Sequence, residues 1–144
     1  MERLVNSIDK GIVIDHITPG LGIKLYRYLG LDEAQLTVVV ITNAESRRMG
    51  RKDIIKIRNI IDLDYTVIGL IDDKATINVI EDGKISEKKK LELPERVIDV
   101  IRCKNPRCIT SGERDIRHEY VLQNRTTGTY RCLYCEEQAR GIEL

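Results

Sequence analysis

Four cysteines near the carboxyl end are the residues whose types and spacing most clearly predict chemistry. Cys103 and Cys108 form one pair, Cys132 and Cys135 form another, and 23 residues separate the two pairs. Each pair can place two thiolates on one tetrahedral ion, and zinc is the usual ion of such sites. Four thiolates fill the coordination sphere of zinc and leave no position for an activated water. The spacing therefore predicts one structural zinc ion per chain rather than a hydrolytic centre.

Two other interpretations of the cysteines carry less weight. Four buried cysteines without a ligand would not explain the paired spacing, and a redox pair at Cys132 and Cys135 would leave Cys103 and Cys108 unexplained. No apolar run has the length of a membrane span and no signal peptide is evident, so we expect a cytoplasmic protein. In that reducing compartment, disulfides are not expected.

Polar residues at a strand end offer a second candidate site. The β-branched run Gly11–Ile17 predicts a strand that includes Asp15 and His16 near its end. These two side chains could be a general acid and base, contacts for a ribose and a phosphate, or simply the polar end of a strand. The residues by themselves favour the last of these three interpretations.

Several lysines could meet an anion on the same domain. Lys56 and Arg58 alternate with isoleucines, and Lys88, Lys89 and Lys90 form a short basic run. Exposed cations of this kind are often only solvated surface. There is no P-loop and no G-x-G-x-x-G motif, so the sequence motifs alone do not predict nucleotide binding.

The elements that must position these residues follow from the apolar pattern. After the first strand, Thr18 is predicted to cap a helix that contains Leu21 and Leu25 and ends at Gly30. The remaining predicted elements are a strand over 35–42, a loop over 43–50, a strand over 52–61, a helix over 63–71, a strand over 75–80, an Asp82-Gly83 hairpin turn and a short strand from Ile85.

This order predicts an α+β protein of two domains. Strand, helix, strand, strand, helix, strand is typical of a ferredoxin-like βαββαβ sandwich. Pro94 closes a charged segment, so we place the first domain at residues 1–94 and a small β-rich zinc-ribbon (rubredoxin-like) domain at 95–144.

The near balance of basic and acidic residues limits the classes of partner that the chain could attract. The chain has 24 basic and 23 acidic residues, so no overall field attracts nucleic acid or a membrane surface. Zinc ribbons nevertheless often bind nucleic acid, and a nucleic-acid-binding module is the alternative function. Acidic residues such as Glu113 and Glu119 interrupt any basic face near the cysteines.

Four further motifs, followed by this order of cysteines, resemble those of aspartate carbamoyltransferase regulatory chains. The resemblance begins at about Val5 and runs beyond Cys135. The motifs are Gly11-Ile-Val-Ile-Asp15-His16-Ile17, Met49-Gly-Arg-Lys-Asp-Ile-Ile-Lys56-Ile57, Ala75-Thr-Ile-Asn78 and Leu93-Pro-Glu-Arg96.

The resemblance implies that the first domain binds CTP or ATP as an allosteric effector. Asp15 and Lys56 match ribose or base contacts, Lys88 matches a phosphate contact, and His16 lies beside them. Val13, Asn78 and Lys90 match neighbouring pocket positions. Backbone groups at Ile8 and from Ile80 to Ile85 match positions that distinguish the base.

The resemblance also implies a non-catalytic subunit of pyrimidine biosynthesis. Its zinc domain would dock on the catalytic chain, with Asn105, Arg107 and Tyr134 as interface candidates by matched position. The implied assembly has two catalytic trimers bridged by three regulatory dimers, and the regulatory chain dimerises through its first domain.

Overall fold

A computed structural model describes residues 9–142 of the chain. It divides into two compact units, Met1–Leu91 and Glu92–Leu144, and each unit is described by itself below. The predicted backbone contact at Ile8 lies outside the described residues. Within the described part, no helix is long and apolar enough to cross a membrane.

Within the described residues 9–91, the N-terminal unit is a five-stranded antiparallel sheet with two short helices. The strand order is β2-β3-β1-β4-β5, so β1 lies at the centre and β2 and β5 form the edges. The βαββαβ order of the prediction is confirmed, and a fifth strand follows it. The elements are β1 (Gly11–Ile17), α1 (Gly22–Tyr28), β2 (Val38–Ser46), β3 (Gly50–Ile57), α2 (Tyr65–Ile71), β4 (Thr76–Glu81) and β5 (Lys84–Lys90).

Along the central strands, successive side chains point to opposite faces of this sheet. Ile12 and Ile14 of β1 are fully buried, as are Ile55 of β3 and Ile77 of β4. These isoleucines join one core cluster with Leu25 from α1 and Ile68 from α2. The residues between them point to the other face of the sheet, away from α1 and α2. Burial of one face therefore fixes which side chains the opposite face presents.

The turn before α1 differs from its prediction. Leu21 occupies the N-cap position, and no side chain caps the helix, so the predicted Thr18 cap is wrong. The Thr18 amide donates instead to the Asp72 carboxylate at 2.6 Å. The Thr18 carbonyl accepts from the Leu21 amide, which places Pro19 and Gly20 in a turn. A partner 54 residues away in the chain therefore helps to hold the turn before α1.

The segment predicted as a loop over 43–50 is mostly strand. β2 continues to Ser46 and β3 begins at Gly50, so only a tight turn separates them. The pairing shifts between Ile41 and Ala44, where Asn43 has a positive φ of 56°. This irregularity lets the two long strands stay paired on both sides of it. The polar residues of the segment do not alternate with apolar ones, so the sequence did not predict a strand there. β3 ends at Ile57, four residues before the predicted end.

The second half of the unit follows its prediction more closely. Helix α2 begins after Asp64, whose carboxylate accepts from the Val67 amide at 3.2 Å. The Asp82-Gly83 turn is confirmed, with positive φ angles of 53° and 74° at its two residues. The return strand β5 is longer than predicted because the basic run belongs to it.

The C-terminal unit is a four-stranded antiparallel sheet in the order β6-β7-β8-β9. Its small core includes Val97, Tyr120 and Tyr130. The Tyr130 hydroxyl donates to the Pro94 carbonyl at 2.6 Å, so this buried phenol is satisfied. The predicted small β-rich domain is confirmed. The elements are β6 (Arg96–Ile98), α3 (Ile109–Gly112), β7 (Glu119–Asn124), β8 (Thr129–Cys132) and β9 (Gln138–Arg140).

A buried carboxylate joins three segments of the N-terminal unit. Asp53 of β3 is only 1% exposed, and it accepts hydrogen bonds from the amides of Gly20, Gly22 and Asn43 at 2.8–3.0 Å. A side chain at Gly22 would meet the Asp53 carboxylate at 2.8 Å, so the close approach requires glycine. Asp53 thus fixes both the β1–α1 turn and the irregularity in β2.

We expect Asp53→Asn to lower the free energy of unfolding by about 2 kcal/mol or more, because an amide cannot replace a charged acceptor of three backbone N–H groups. Urea unfolding of the full chain, followed by far-ultraviolet circular dichroism, measures this change. The exposed Asp32→Asn serves as the control and should shift stability by no more than about 0.5 kcal/mol. Equal stability of the two variants would contradict this account of Asp53.

Candidate functional site

The four cysteines of the C-terminal unit converge on one point. Cys103 and Cys108 flank the segment before α3, Cys132 ends β8, and Cys135 lies in the turn that follows it. Their sulfur atoms all lie within 4.8 Å of one another. The Cys103–Cys135 and Cys108–Cys132 sulfur pairs are 3.5 and 3.8 Å apart. Zn–S bonds of about 2.3 Å in a tetrahedron require sulfur separations near 3.8 Å, so the group fits one zinc ion.

The surrounding protein shifts the pKa values of these thiols in different directions. A hydrogen bond from the Thr110 hydroxyl lowers the pKa of Cys108 to about 7, whereas burial raises the pKa of Cys132 to about 12. Burial also raises the pKa of Cys103. Zinc binds thiolates, so a cation at this point supplies the positive charge that burial of several thiolates requires.

Neighbouring side chains hold the cysteine loops in place. The Cys103 amide donates to Nδ1 of His118 at 3.0 Å, and the His118 amide donates to the Asp99 carboxylate at 2.9 Å. Tyr120 is buried beside Cys103, and burial followed by the hydrogen bond with that thiol raises the pKa of its hydroxyl. The phenol therefore stays protonated and can donate to the sulfur. These contacts connect β7 to the first cysteine pair.

Four of the residues predicted to contact a nucleotide form a single row across the N-terminal sheet. Val13 of β1 pairs with Lys56 of β3 on one side and with Asn78 of β4 on the other. Asn78 in turn pairs with Lys88 of β5. Paired residues of antiparallel strands lie on the same face, so this row occupies the face opposite the helices.

A second row lies beside the first. Asp15 pairs with Thr76, and Thr76 pairs with Lys90. His16 has a positive φ of 57° where the β1–β3 pairing shifts, and its Nδ1 lies 2.9 Å from the Thr76 hydroxyl. The irregular backbone thus directs His16 toward β4. Asp15, His16 and Lys90 adjoin the first row, and Ile80 follows Asn78 on the same face of β4.

The charges on this face are partly matched. Lys52 forms an ion pair with Asp15 at 2.9 Å, with both side chains about one-fifth exposed or less. Burial lowers the pKa of the Lys56 ammonium, and the negative charge of Asp15 partly opposes that shift. The Asp15 carboxylate therefore lies near the ammonium groups of two lysines, Lys52 and Lys56.

Asp15 and His16 do not form a carboxylate–imidazole pair. The Asp15 carboxylate accepts from the His16 backbone amide at 2.6 Å, while the imidazole contacts Thr76. Each side chain instead has its own polar neighbour on the sheet, Lys52 beside Asp15 and Thr76 beside His16.

Two polar residues on this face had not been selected from the sequence. Lys52 and Thr76 contact the predicted residues Asp15 and His16 directly. Both could have been found by alternation, because Lys52 is four residues from Lys56 and Thr76 is two residues from Asn78 in their strands. Their individual partners, however, depend on strand pairing.

A concavity of about 450 Å³ lies beside the β1–α1 turn, but none of the predicted nucleotide contacts lines it. Its lining residues are Thr18, Pro19, Arg48, Met49, Arg51 and Lys74.

The three interface candidates lie in the cysteine loops. The Asn105 side chain accepts from the Arg107 amide at 3.0 Å, so it shapes its own loop. Tyr134, between Cys132 and Cys135, is 49% exposed, and its neighbour Leu133 is 37% exposed. Large apolar side chains therefore reach solvent next to the metal group.

Family models match both units of the chain. Residues 3–92 match the allosteric domain of the aspartate carbamoyltransferase regulatory chain, and residues 95–144 match the metal binding domain of the same regulatory chain. The two matches together span almost the whole sequence.

Similar whole proteins give the same result. An aspartate carbamoyltransferase regulatory chain of Clostridium botulinum is 57% identical over 140 residues, which cover 97% of this chain and 96% of the relative. The protein of that name from Clostridium tetani is 54% identical, covering 96% and 97%. One from Bifidobacterium longum is 44% identical, covering 94% and 98%.

We expect Cys108→Ser to reduce bound zinc from one ion per chain to well below one, because a buried hydroxyl replaces one of four thiolates. Elemental analysis of freshly purified protein measures zinc, and circular dichroism follows the unfolding of the C-terminal unit. Lys104→Ala, a change of an exposed side chain between Cys103 and Cys108, should keep the full zinc content. Full zinc retention by Cys108→Ser would show that Cys108 is not a ligand.

Proposed function

This chain belongs to the family of aspartate carbamoyltransferase regulatory chains, and from that premise we propose how its two units divide the work. The N-terminal unit binds a nucleotide effector, CTP or ATP, on the face of its sheet opposite the helices. The C-terminal unit, folded around zinc, docks on a catalytic chain. The observation that carries the proposal is the row of Lys56, Val13, Asn78 and Lys88 across four adjacent strands.

The row suits the chemistry of a nucleotide. Lys56 and Lys88 are three strand spacings apart, or about 14 Å along the row, and a nucleotide can extend over that distance. Lys88 and Lys90 on β5 provide ammonium groups for phosphates. Asp15, near Lys56, provides acceptors for ribose hydroxyls. Asn78 lies between Lys56 and Lys88 in the row, and its amide can both donate and accept hydrogen bonds.

The base would be recognised at the end of the sheet beyond this row. Ile80 of β4 pairs with Ile85 of β5 next to the Asp82-Gly83 turn. The pairing shifts between Val79 and Ile80, and such a shift leaves backbone groups without a ladder partner. Backbone groups from Ile80 to Ile85, together with Ile8, are the proposed contacts to the base.

Catalysis belongs to the partner in this proposal. The relatives are regulatory chains by name, and the Asp15 carboxylate and the His16 imidazole contact different partners on the sheet. The four cysteines leave zinc without an open position for substrate. Carbamoyl phosphate and aspartate would therefore react only on the catalytic chain.

Docking would use the exposed apolar residues at the cysteine loops. Tyr134 and Leu133 adjoin the second cysteine pair, and Ile109, half exposed, follows Cys108. Aromatic and aliphatic side chains of this kind form the centres of protein interfaces. Zinc orders the loops that present them, so metal binding and docking are coupled. The proposed assembly has two catalytic trimers bridged by three regulatory dimers.

Regulation would follow from a difference in affinity. A nucleotide that binds one quaternary state more tightly shifts the equilibrium toward that state by its differential binding energy. Couplings of this type are typically about 1–3 kcal/mol. The alternative of a nucleic-acid-binding module is disfavoured, because both units match regulatory-chain domains and the net charge is only +1.

We expect Lys56→Ala and Lys88→Ala each to weaken CTP and ATP binding by about one to two decades, because each removes a charge-assisted contact of roughly 1.5–3 kcal/mol. Calorimetry on the full chain measures the affinity, and sedimentation with catalytic chains measures assembly, which should be unchanged. Lys24→Ala on α1, at the opposite face of the sheet, is the matched control. Normal nucleotide binding by both lysine variants would refute the placement of the site.

The isolated chain should not form carbamoyl aspartate from carbamoyl phosphate and aspartate. A radiometric assay at high protein concentration should give the rate of the buffer blank, and addition of catalytic chains should restore activity that responds to nucleotide. Turnover by rigorously purified regulatory chain, lost in Asp15→Asn, would instead support an enzyme.

A further inference from the structure

The edge strand β5 contains a run in which the side chains alone do not specify the register. Lys88, Lys89 and Lys90 are identical, and Glu87 and Ser86 before them are also polar. Register in a hairpin is fixed by its turn and by a buried alternation of apolar residues. Here the pairing shifts between Val79 and Ile80, so the register near the Asp82-Gly83 turn does not continue unbroken to the lysines. Ile85 and Leu91 lie at the two ends of this polar stretch, and Leu91 packs on the core.

The middle lysine makes a different contact from its neighbours. Lys89 pairs with the buried Ile77, so it lies on the face of the helices, whereas Lys88 pairs with Asn78 on the opposite face. The Lys89 ammonium lies 4.3 Å from the centre of the Tyr65 ring, the first residue of α2. Glu87, two residues earlier in β5, is 3.5 Å from the same ammonium.

We propose that the contact between Tyr65 and Lys89 is a positioning device that holds Lys88 and Lys90 on the nucleotide face. This inference rests on the proposed function of that face. Tyr65 packs against the core through its ring, so it is a fixed platform for a flexible cation. Because Lys89 contacts α2 on one face of the sheet, Lys88 and Lys90 lie on the opposite face.

The consequences of a slip explain why such a device matters. A shift of one residue in one direction would bring Glu87 opposite Asn78, and its carboxylate would repel a phosphate. A shift in the other direction would bring Leu91 opposite Thr76 and remove a cation from the face. Either shift would also remove Lys89 from Tyr65, so the aromatic contact favours the one register that presents two ammonium groups.

The test compares two substitutions of Tyr65 that leave every charge in place. Tyr65→Leu removes the ring face but keeps an apolar side chain, and Tyr65→Phe keeps the ring. We expect Tyr65→Leu to raise the Kd for CTP and ATP about two- to five-fold, since a fraction of molecules no longer holds β5 in the binding register. Tyr65→Phe should bind like the unmodified chain. Hydrogen exchange of β5 amides in the free protein should be faster only in Tyr65→Leu.

A double-variant comparison tests whether the two residues act together. Lys89→Met removes the cation, so it weakens binding through lost charge as well as lost position. Tyr65→Leu combined with Lys89→Met should then bind no more weakly than Lys89→Met alone. Additive effects of the two changes would overturn the inference.

The remaining outcomes separate this inference from the function on which it rests. Unchanged affinity and exchange in Tyr65→Leu, with normal binding by the unmodified chain, would overturn the inference alone. Equal weakening in Tyr65→Leu and Tyr65→Phe would also overturn it, because the hydroxyl rather than the ring would be responsible. Absence of nucleotide binding by the unmodified chain would overturn the proposed function and the inference together.

Discussion

The register of β1 against its two neighbours is the constraint on which the N-terminal unit depends. One set of alternate residues, including Ile12 and Ile14, is buried beneath the helices, and this burial prevents the strand from shifting. The other set then lies on the opposite face at fixed positions. Because Val13 pairs with both Lys56 and Asn78, the same register that builds the core also brings polar residues from distant parts of the chain into one row.

The two units reach stability by different physical means. The N-terminal unit has an aliphatic core large enough to fix a five-stranded sheet. The C-terminal unit has about fifty residues and a core in which two tyrosines are the largest fully buried side chains. Small domains gain little from apolar burial, and a structural metal commonly compensates. Removal of metal should therefore unfold one unit while the other keeps its core.

Departures from regular structure lie where the polar residues of the sheet must be directed. His16 adopts a positive φ at the shift in the β1–β3 pairing, and Asn43 does so at the shift in β2–β3. The Asp53 carboxylate accepts a hydrogen bond from the Asn43 amide and so stabilises the shift in the β2–β3 pairing. It also accepts from the Gly20 amide in the turn that follows His16. A single buried charge thus supports the irregular backbone around the candidate nucleotide face.

The sequence by itself determined the features that depend on neighbours along the chain. These include the strand through Gly11–Ile17, the Asp82-Gly83 turn, the βαββαβ order and the four cysteines whose spacing predicted a metal group. Only the tertiary structure decided the features that depend on distant partners. No side chain caps α1 and the Thr18 amide donates to Asp72 instead. The polar β2–β3 hairpin formed in place of a loop, and Tyr65 contacts Lys89 rather than its identical neighbours. Local patterns record propensity and periodicity, whereas pairing across the sheet determines which side chains meet.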